Sequence, residues 1–166
     1  MRTLLYGAII SLAVGINVTA QAQTTDPQMM VPINKFLEAF NKGDVAGAAA
    51  THSSKGDVVI IDEVPPFTWR GAQAVQTWAA DLEADAKKRV ITNQSVTLSA
   101  ATRVETNGVD AYVVVPAVYN FQEKGVAMRE SAQMTFSLKK EGAGWLIYGW
   151  AWTGPKPQKA AGKTQK

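Results

Sequence analysis

Apolar positions recur with two different periods along this chain, and the change of period divides it. Ile33, Phe36, Leu37 and Phe40 fall three and four residues apart, which is one face of a helix. Gly43 supplies a stop for that helix. Asp44 supplies a cap for a short second helix, Val45 to Ala50, built of Ala and Gly around Val45. Asp57 to Asp62 encloses a short apolar run and reads as a largely buried strand, ended by Pro65-Pro66. Ala72 to Ala86 returns to the helical period, with Val75, Trp78, Ala79 and Leu82 on one side. Lys87, Lys88 and Arg89 then fall near its C-terminus, where cations suit the helix dipole.

From Ser95 onward the period is two. Ser95 to Val104 reads as one strand, and Asn107-Gly108 as a hairpin turn. Ala111 to Gln122 is a long strand with Tyr112, Val114, Pro116, Val118 and Asn120 on one face. Val113, Val115, Ala117, Tyr119 and Phe121 share the other face, and Pro116 predicts a bulge or an edge. Lys124-Gly125 turns the chain into Val126 to Lys139, and Glu141 to Gly144 turns it into Trp145 to Trp152. In that last strand Leu146, Tyr148, Trp150 and Trp152 alternate with Ile147, Gly149, Ala151 and Thr153. Helices followed by an antiparallel meander predict an α+β domain, helices packed on one face of a sheet.

The ends change the picture. Arg2, the apolar stretch Leu4 to Val18 and Ala20-Gln21-Ala22 form a signal-peptide pattern, with cleavage expected after Ala22. The stretch is shorter than a spanning helix needs, so no stable membrane anchor is expected. The reading is therefore 1–22 signal peptide, 23–30 polar lead-in, 31–153 domain and 154–166 disordered basic tail, in a periplasmic or secreted protein.

Composition then removes whole classes of chemistry. The absence of cysteine excludes thiol nucleophiles, thiolate metal sites and redox work. The pI of about 9.2 comes from the ends. Setting aside Arg2, Lys156, Lys159, Lys163 and Lys166 leaves 12 of the 17 basic residues against 14 acidic ones. A nucleic-acid surface needs its charge on the folded face, so none is expected. A single histidine cannot build a His-rich metal site, and no phosphate loop or dinucleotide fingerprint occurs. No cofactor and no metal are expected.

The chain resembles the nuclear transport factor 2-like superfamily, which includes ketosteroid isomerase, scytalone dehydratase and polyketide cyclases of the SnoaL type. The likeness rests on Phe36-x3-Phe40-Asn41-x-Gly43-Asp44, the strand ending at Asp62, Arg70-Gly71 before the second long helix, and Gly142-Ala143-Gly144-Trp145. It runs from about Val31 to Thr153. It is similar in particular to exported bacterial members of unassigned function with an Ile-Ile-Asp-x-x-Pro-Pro run and a Trp-rich ending. The resemblance implies a cone-shaped fold whose curved sheet encloses a pocket; such a fold serves enzymes, binders and assembly modules alike.

By the same resemblance, Asp62 matches the isomerase's base when counted from Gly71. The Tyr donor position is Phe36 and the acidic donor position Met134, neither of which can donate. Losing one oxyanion donor typically costs ~10²–10³ in rate. Asp62 beside Ile60, Ile61 and Val64 suits a base of raised pKa, and equally a strand-end turn former. His52 reads as a packing residue or as a partner for Asp62. The expected lining is Phe36, Phe40, Trp78, Tyr112, Val114, Val118, Met134 and Phe136, with Asp62 as polar anchor.

The superfamily's register favours small residues inward on the last strand, leaving Trp150 and Trp152 on the convex face with Tyr119 and Phe121. Such a patch predicts a homodimer through the sheet. The opposite assignment puts both Trp residues in the pocket. The function expected is binding of a small apolar or amphipathic molecule. The alternatives are an acid–base isomerase, dehydratase or cyclase using Asp62, and a dimerising module without a ligand.

Overall fold

The computed structural model describes residues 27–56 and 58–161. Residues 1–26, on which the signal-peptide reading falls, lie outside them. After a 3₁₀ turn at Pro27–Met29 come α1 (Met30–Lys42), α2 (Val45–Ala50), β1 (Val59–Ile61), β2 (Thr68–Arg70) and α3 (Ala74–Arg89). The meander follows as β3 (Ile91–Leu98), β4 (Arg103–Thr106), β5 (Asp110–Glu123), β6 (Val126–Glu141) and β7 (Gly144–Thr153), with a two-residue β8 (Gln158–Lys159). The strand order is β2-β1-β7-β6-β5-β3. Only β1 against β7 is parallel. The domain is α+β, with helices on a curved, unclosed, mostly antiparallel sheet.

The Asn-Lys-Gly-Asp run is the pin of the helical layer. Asn41 Nδ2 donates to Val96 O at 2.8 Å while Asn41 Oδ1 accepts from Val96 N at 2.8 Å. Its amide thus replaces a strand partner and locks α1 onto β3. Gly43 ends α1 in the left-handed conformation, with φ 69°, and its N–H returns to Ala39 and Phe40. Asp44 Oδ1 then accepts from Gly47 N at 2.8 Å and starts α2. Pro32, Ile33, Phe36, Leu37 and Ala39 of α1 are buried, as are Ala74, Val75, Trp78 and Ala86 of α3.

The structure divides the segment read as one strand, Ser95 to Val104, into β3 and β4. Both pair with β5, at Ala117–Glu123 and Ala111–Val114. The gap lies opposite Pro116, which has no N–H to offer a neighbour and only accepts, from Ser99 N at 3.0 Å.

The faces of β5 and β7 are a correction to the sequence reading. On β5 the buried inner set is Ala111, Val113, Val115, Ala117 and Phe121, with Tyr119 beside them. Tyr112, Val114 and Val118 are on the outer face, where Arg103 lies over the Tyr112 ring. On β7 the pairing slips between Ser137 and Leu138: Ser137 faces Gly149 but Leu138 faces Ile147. Tyr148 is the extra residue of a β-bulge. Trp145 and Ile147 point inward before it, Trp150 and Trp152 after it. Strict two-residue alternation across the bulge had placed them on opposite faces. The large aromatics therefore leave the outer face, and with them goes the reason for expecting a homodimer there. The segment read as a disordered tail is also paired in part: Met128 faces Lys159 and Arg129 faces Gln158.

Candidate functional site

Phe36, Trp78 and Trp150 meet at the wide end of the sheet. Ring centroids are 5.5 Å apart for Phe36–Trp150, 6.0 Å for Phe36–Trp78 and 5.0 Å for the edge-on Trp78–Trp150 pair. Phe40 lies tilted on Trp78 at 5.9 Å, and Tyr119 meets Trp152 edge-on at 6.3 Å. These rings, with Leu82, Val96 and Met134, wall a cleft of about 600 Å³ counted with its open mouth. Its free interior is only about 60 Å³, room for a few water molecules. The cone is largely filled by its own side chains.

The polar groups of the cleft are mostly carboxylates. Asp62 follows β1 and is held at both oxygens. Oδ2 accepts from Trp78 Nε1 at 2.7 Å and Oδ1 from Glu63 N at 2.7 Å. Burial raises its pKa, and those two hydrogen bonds oppose the rise. Glu130, on β6, is 1% exposed and lies behind the cleft wall rather than lining it. Its Oε1 accepts from Trp152 Nε1 at 2.7 Å, and its Oε2 is buried with no hydrogen-bond partner. Gly154, just past β7, packs so closely on this carboxylate that a Cβ there would lie 2.1 Å from Oε1.

Glu63 reaches toward Glu130. Burial first, then the charge of Glu130 and a hydrogen bond to it, then Asp62, push the Glu63 carboxyl up to about 7. The Glu130 carboxyl is raised too, by its burial. Tyr119 donates to Gln94 Oε1, and burial raises the phenol, so it stays protonated. Gln94 is aimed there by a bulge at Asn93–Gln94, where the β3–β5 pairing skips. Arg89 lines the far wall but is already engaged, by Glu123 at 3.1 and 3.2 Å and by Asp85 at 3.3 Å.

The structure brings Phe36, Phe40, Trp78, Met134 and Asp62 together around one cleft. Phe136 is fully buried beneath it, 6.5 Å from Phe36. Tyr112, Val114 and Val118 are not part of it, being on the outer face. His52 is not paired with Asp62. It sits just past α2, where its Nδ1 donates to Ala48 O at 2.9 Å and its ring meets Phe36 edge-on at 5.1 Å. Its Nε2 is buried without a partner. Burial lowers its pKa to about 4, so it is neutral. Among the described residues no cluster of three or more potential ligands is arranged to hold a metal ion.

Glu63, Tyr119 and Gln94 at the cleft, and Glu130 behind it, are the residues that the sequence reading missed; Trp150 and Trp152 it placed here only in its alternative register. Glu130 had a signal. Met128, Glu130, Ala132, Met134, Phe136 and Leu138 share one strand face, and a lone acid in that row is out of place.

A family model described as SnoaL-like domain matches residues 32–150. No curated protein matches the chain in sequence. Among solved structures, it is similar to a nuclear transport factor 2-like superfamily protein from Salmonella enterica, at 15% identity and a TM-score of 0.64, covering 84% of this chain and 96% of that one. A hexachlorocyclohexane dehydrochlorinase from Novosphingobium barchaimii aligns at 12% identity and a TM-score of 0.68, covering 82% and 90%. A ketosteroid isomerase-like protein from Erwinia carotovora aligns at 19% identity and a TM-score of 0.60, covering 79% and 96%. At these identities the likeness is one of fold.

Proposed function

The chain belongs to the SnoaL-like domain family, and from that premise we propose that it binds a small apolar or amphipathic molecule without transforming it. One observation carries the reading: of the three indole N–H groups at the cleft, those of Trp78 and Trp152 are committed to carboxylates, and that of Trp150 is buried with no partner. The Tyr119 hydroxyl is committed to Gln94. Isomerase-type chemistry needs several donors aimed at a developing oxyanion; the Trp78, Trp152 and Tyr119 donors are turned away from that task, and the Trp150 N–H alone is uncommitted. What remains is aromatic wall with a few acceptors and one buried indole N–H, of Trp150, the usual plan of a binding pocket with few polar groups. The small free interior suits a compact head group, with the rest of the molecule lying in the wider cleft.

Export belongs to the same proposal and rests on residues 1–22; sequencing of the mature N-terminus should begin at Gln23. The binding reading is tested by native mass spectrometry of protein purified from its own source. A small-molecule adduct is expected, and returning the released molecule to fresh protein should give it back unchanged by mass and by NMR. Absence of any adduct overturns the reading.

A second reading has its own support. Asp62 is half-buried, raised in pKa and in the cleft wall, which suits a general base. Conversion of the returned molecule to a new species, abolished by Asp62→Asn, selects that acid–base reading instead.

A further inference from the structure

Glu63 and Glu130 come from separate parts of the chain, the loop after β1 and strand β6, and their carboxyl groups are hydrogen-bonded to each other. Two ionised carboxylates cannot make that bond, because each only accepts. One of the pair must carry a proton, and the surroundings say which. Glu130 Oε1 accepts from Trp152 Nε1 at 2.7 Å. Its Oε2 is buried, and no N–H or hydroxyl of the described residues meets it. A protonated Glu63 supplies the donor that this oxygen lacks.

The two halves of the pair differ in freedom. Glu130 is 1% exposed, lies opposite Tyr119 of β5, and has Gly154 packed against its carboxyl with no room for a side chain. Glu63 is exposed and belongs to a loop. The pair also completes a chain of bonds along one side of the cleft. Trp152 of β7 holds Glu130, Glu130 holds Glu63, and the neighbouring Asp62 accepts from Trp78 of α3 at 2.7 Å. Asp62, Glu63 and Val64 line the cleft, so the loop that carries them is one of its walls. With that wall in place the free interior is only about 60 Å³.

We infer, resting on the binding reading above, that the Glu63–Glu130 pair is a proton-operated latch on the cleft. With one shared proton it holds residues 62–67 in place as a wall. When the proton leaves, two carboxylates face each other, the loop loosens and the cleft widens for its ligand.

The proton leaves near neutrality. Burial, then the charge of Glu130 and the hydrogen bond to it, then Asp62, push the Glu63 carboxyl from 4.5 up to about 7. The other titratable groups around the pair are Tyr119 on β5 and Arg89 and Asp85 on α3. Arg89 opposes the rise, but Glu123 and Asp85 already hold it. The latch is therefore closed below pH 7 and released as pH rises through it.

The test uses the ligand-free full chain at pH 6 and 8.5. Hydrogen exchange, corrected for the intrinsic effect of pH, follows the loop through the Asp62 N–H bonded to Phe67 O and the Phe67 N–H bonded to Val64 O. Protection of residues 62–67 should fall at least tenfold at the higher pH, with β5 and β6 unchanged. Glu63→Gln, whose amide can donate to Glu130 at either pH, should keep the protection at both. Glu63→Ala should lack it at both. Quenching by uncharged acrylamide should rise at least 1.5-fold between the two pH values in the wild type and stay constant in Glu63→Gln. Infrared difference spectra should show a protonated-carboxyl band lost at pH 8.5, and Glu63→Gln should remove that change. Loop protection that ignores pH, or that Glu63→Gln loses as the wild type does, overturns the latch. A loop that loosens without any change in quenching overturns its control of the cleft. None of these measurements uses a ligand, so their failure leaves the binding reading standing; that reading falls only if the native protein carries no adduct.

Discussion

His52 and the acids show how position alone sets a residue's chemistry. The Nδ1–H of His52 is fixed on Ala48 O, its ring meets Phe36, and its Nε2 is buried with no hydrogen-bond partner. Its pKa falls from 6.5 to about 4 because the charged form is desolvated. Between those values the unfolded chain binds a proton that the folded chain refuses. Stability from this residue is therefore present above pH 6.5 and lost as pH falls toward 4, by about 3 kcal/mol in all. Glu63 works the other way. Its folded pKa is raised from 4.5 to about 7, so its share is present below 4.5 and lost as pH rises through 7. Glu63 is exposed along part of its side chain, so solvent screening makes its share the smaller. The melting temperature should thus drop on acidification from pH 6.5 to 4.5. His52→Leu should flatten that slope whatever it does to absolute stability, and Glu63→Gln should steepen it. Asp62→Asn should leave the melting temperature at pH 8 unchanged or raised, because a desolvated carboxylate gives way to an amide that can still accept from Trp78. His52 was legible from the sequence as a residue with no assured partner. The buried convergence on Glu130 was not, since it depends on which face of β6 meets the loop after β1.

Elements were more readable than their faces. The period of three to four gave α1 and α3, and the Asn107-Gly108 turn falls in the connection between β4 and β5. The stop at Gly43 and the cap at Asp44 are where those residues predict them. The face assignments on β5 and β7 failed, and for β7 the failure has one cause. A bulge adds a residue without leaving a mark in the alternation, so everything beyond Tyr148 turns over. The same strand carries a constraint of another kind at Gly149. It pairs in parallel with Val59, and a Cβ on it would stand 2.6 Å from Val59 O. That oxygen belongs to backbone and has little freedom to retreat. Gly149→Ala should therefore force β1 away from β7 and cost about 1–3 kcal/mol, the range of other overpacking changes. A chemical denaturation midpoint that does not move would disprove the close approach. Because β1 leads directly into Asp62, the same variant should also disturb Trp fluorescence through Trp78.

At the scale of the molecule, the inward turn of Trp150 decides what the fold can tolerate. Its ring is 4% exposed and touches Phe36 and Trp78, so it joins α1, α3 and β7 in one aromatic cluster. Its partner across β6 is Phe136, itself fully buried. Had Trp150 been on the outer face, Trp150→Glu would have been a probe of subunit contact. Where it lies, the change sets an unpaired carboxylate among rings, with Asp62, Glu63 and Glu130 nearby to repel it. Removing a large aromatic from a core costs about 3–5 kcal/mol, and an unpaired buried charge adds several more. That sum rivals the roughly 5–15 kcal/mol that holds a domain folded. Trp150→Glu should accordingly abolish the cooperative thermal transition and the near-ultraviolet dichroism of the aromatic cluster. Trp150→Phe, which keeps a ring in place and removes the unpaired indole N–H, should retain both. Gln133→Glu, exposed on the outer face of β6, should shift stability by no more than about 0.5 kcal/mol. A folded Trp150→Glu protein with an unchanged melting transition would refute the inward placement, and with it the aromatic wall on which the binding reading depends.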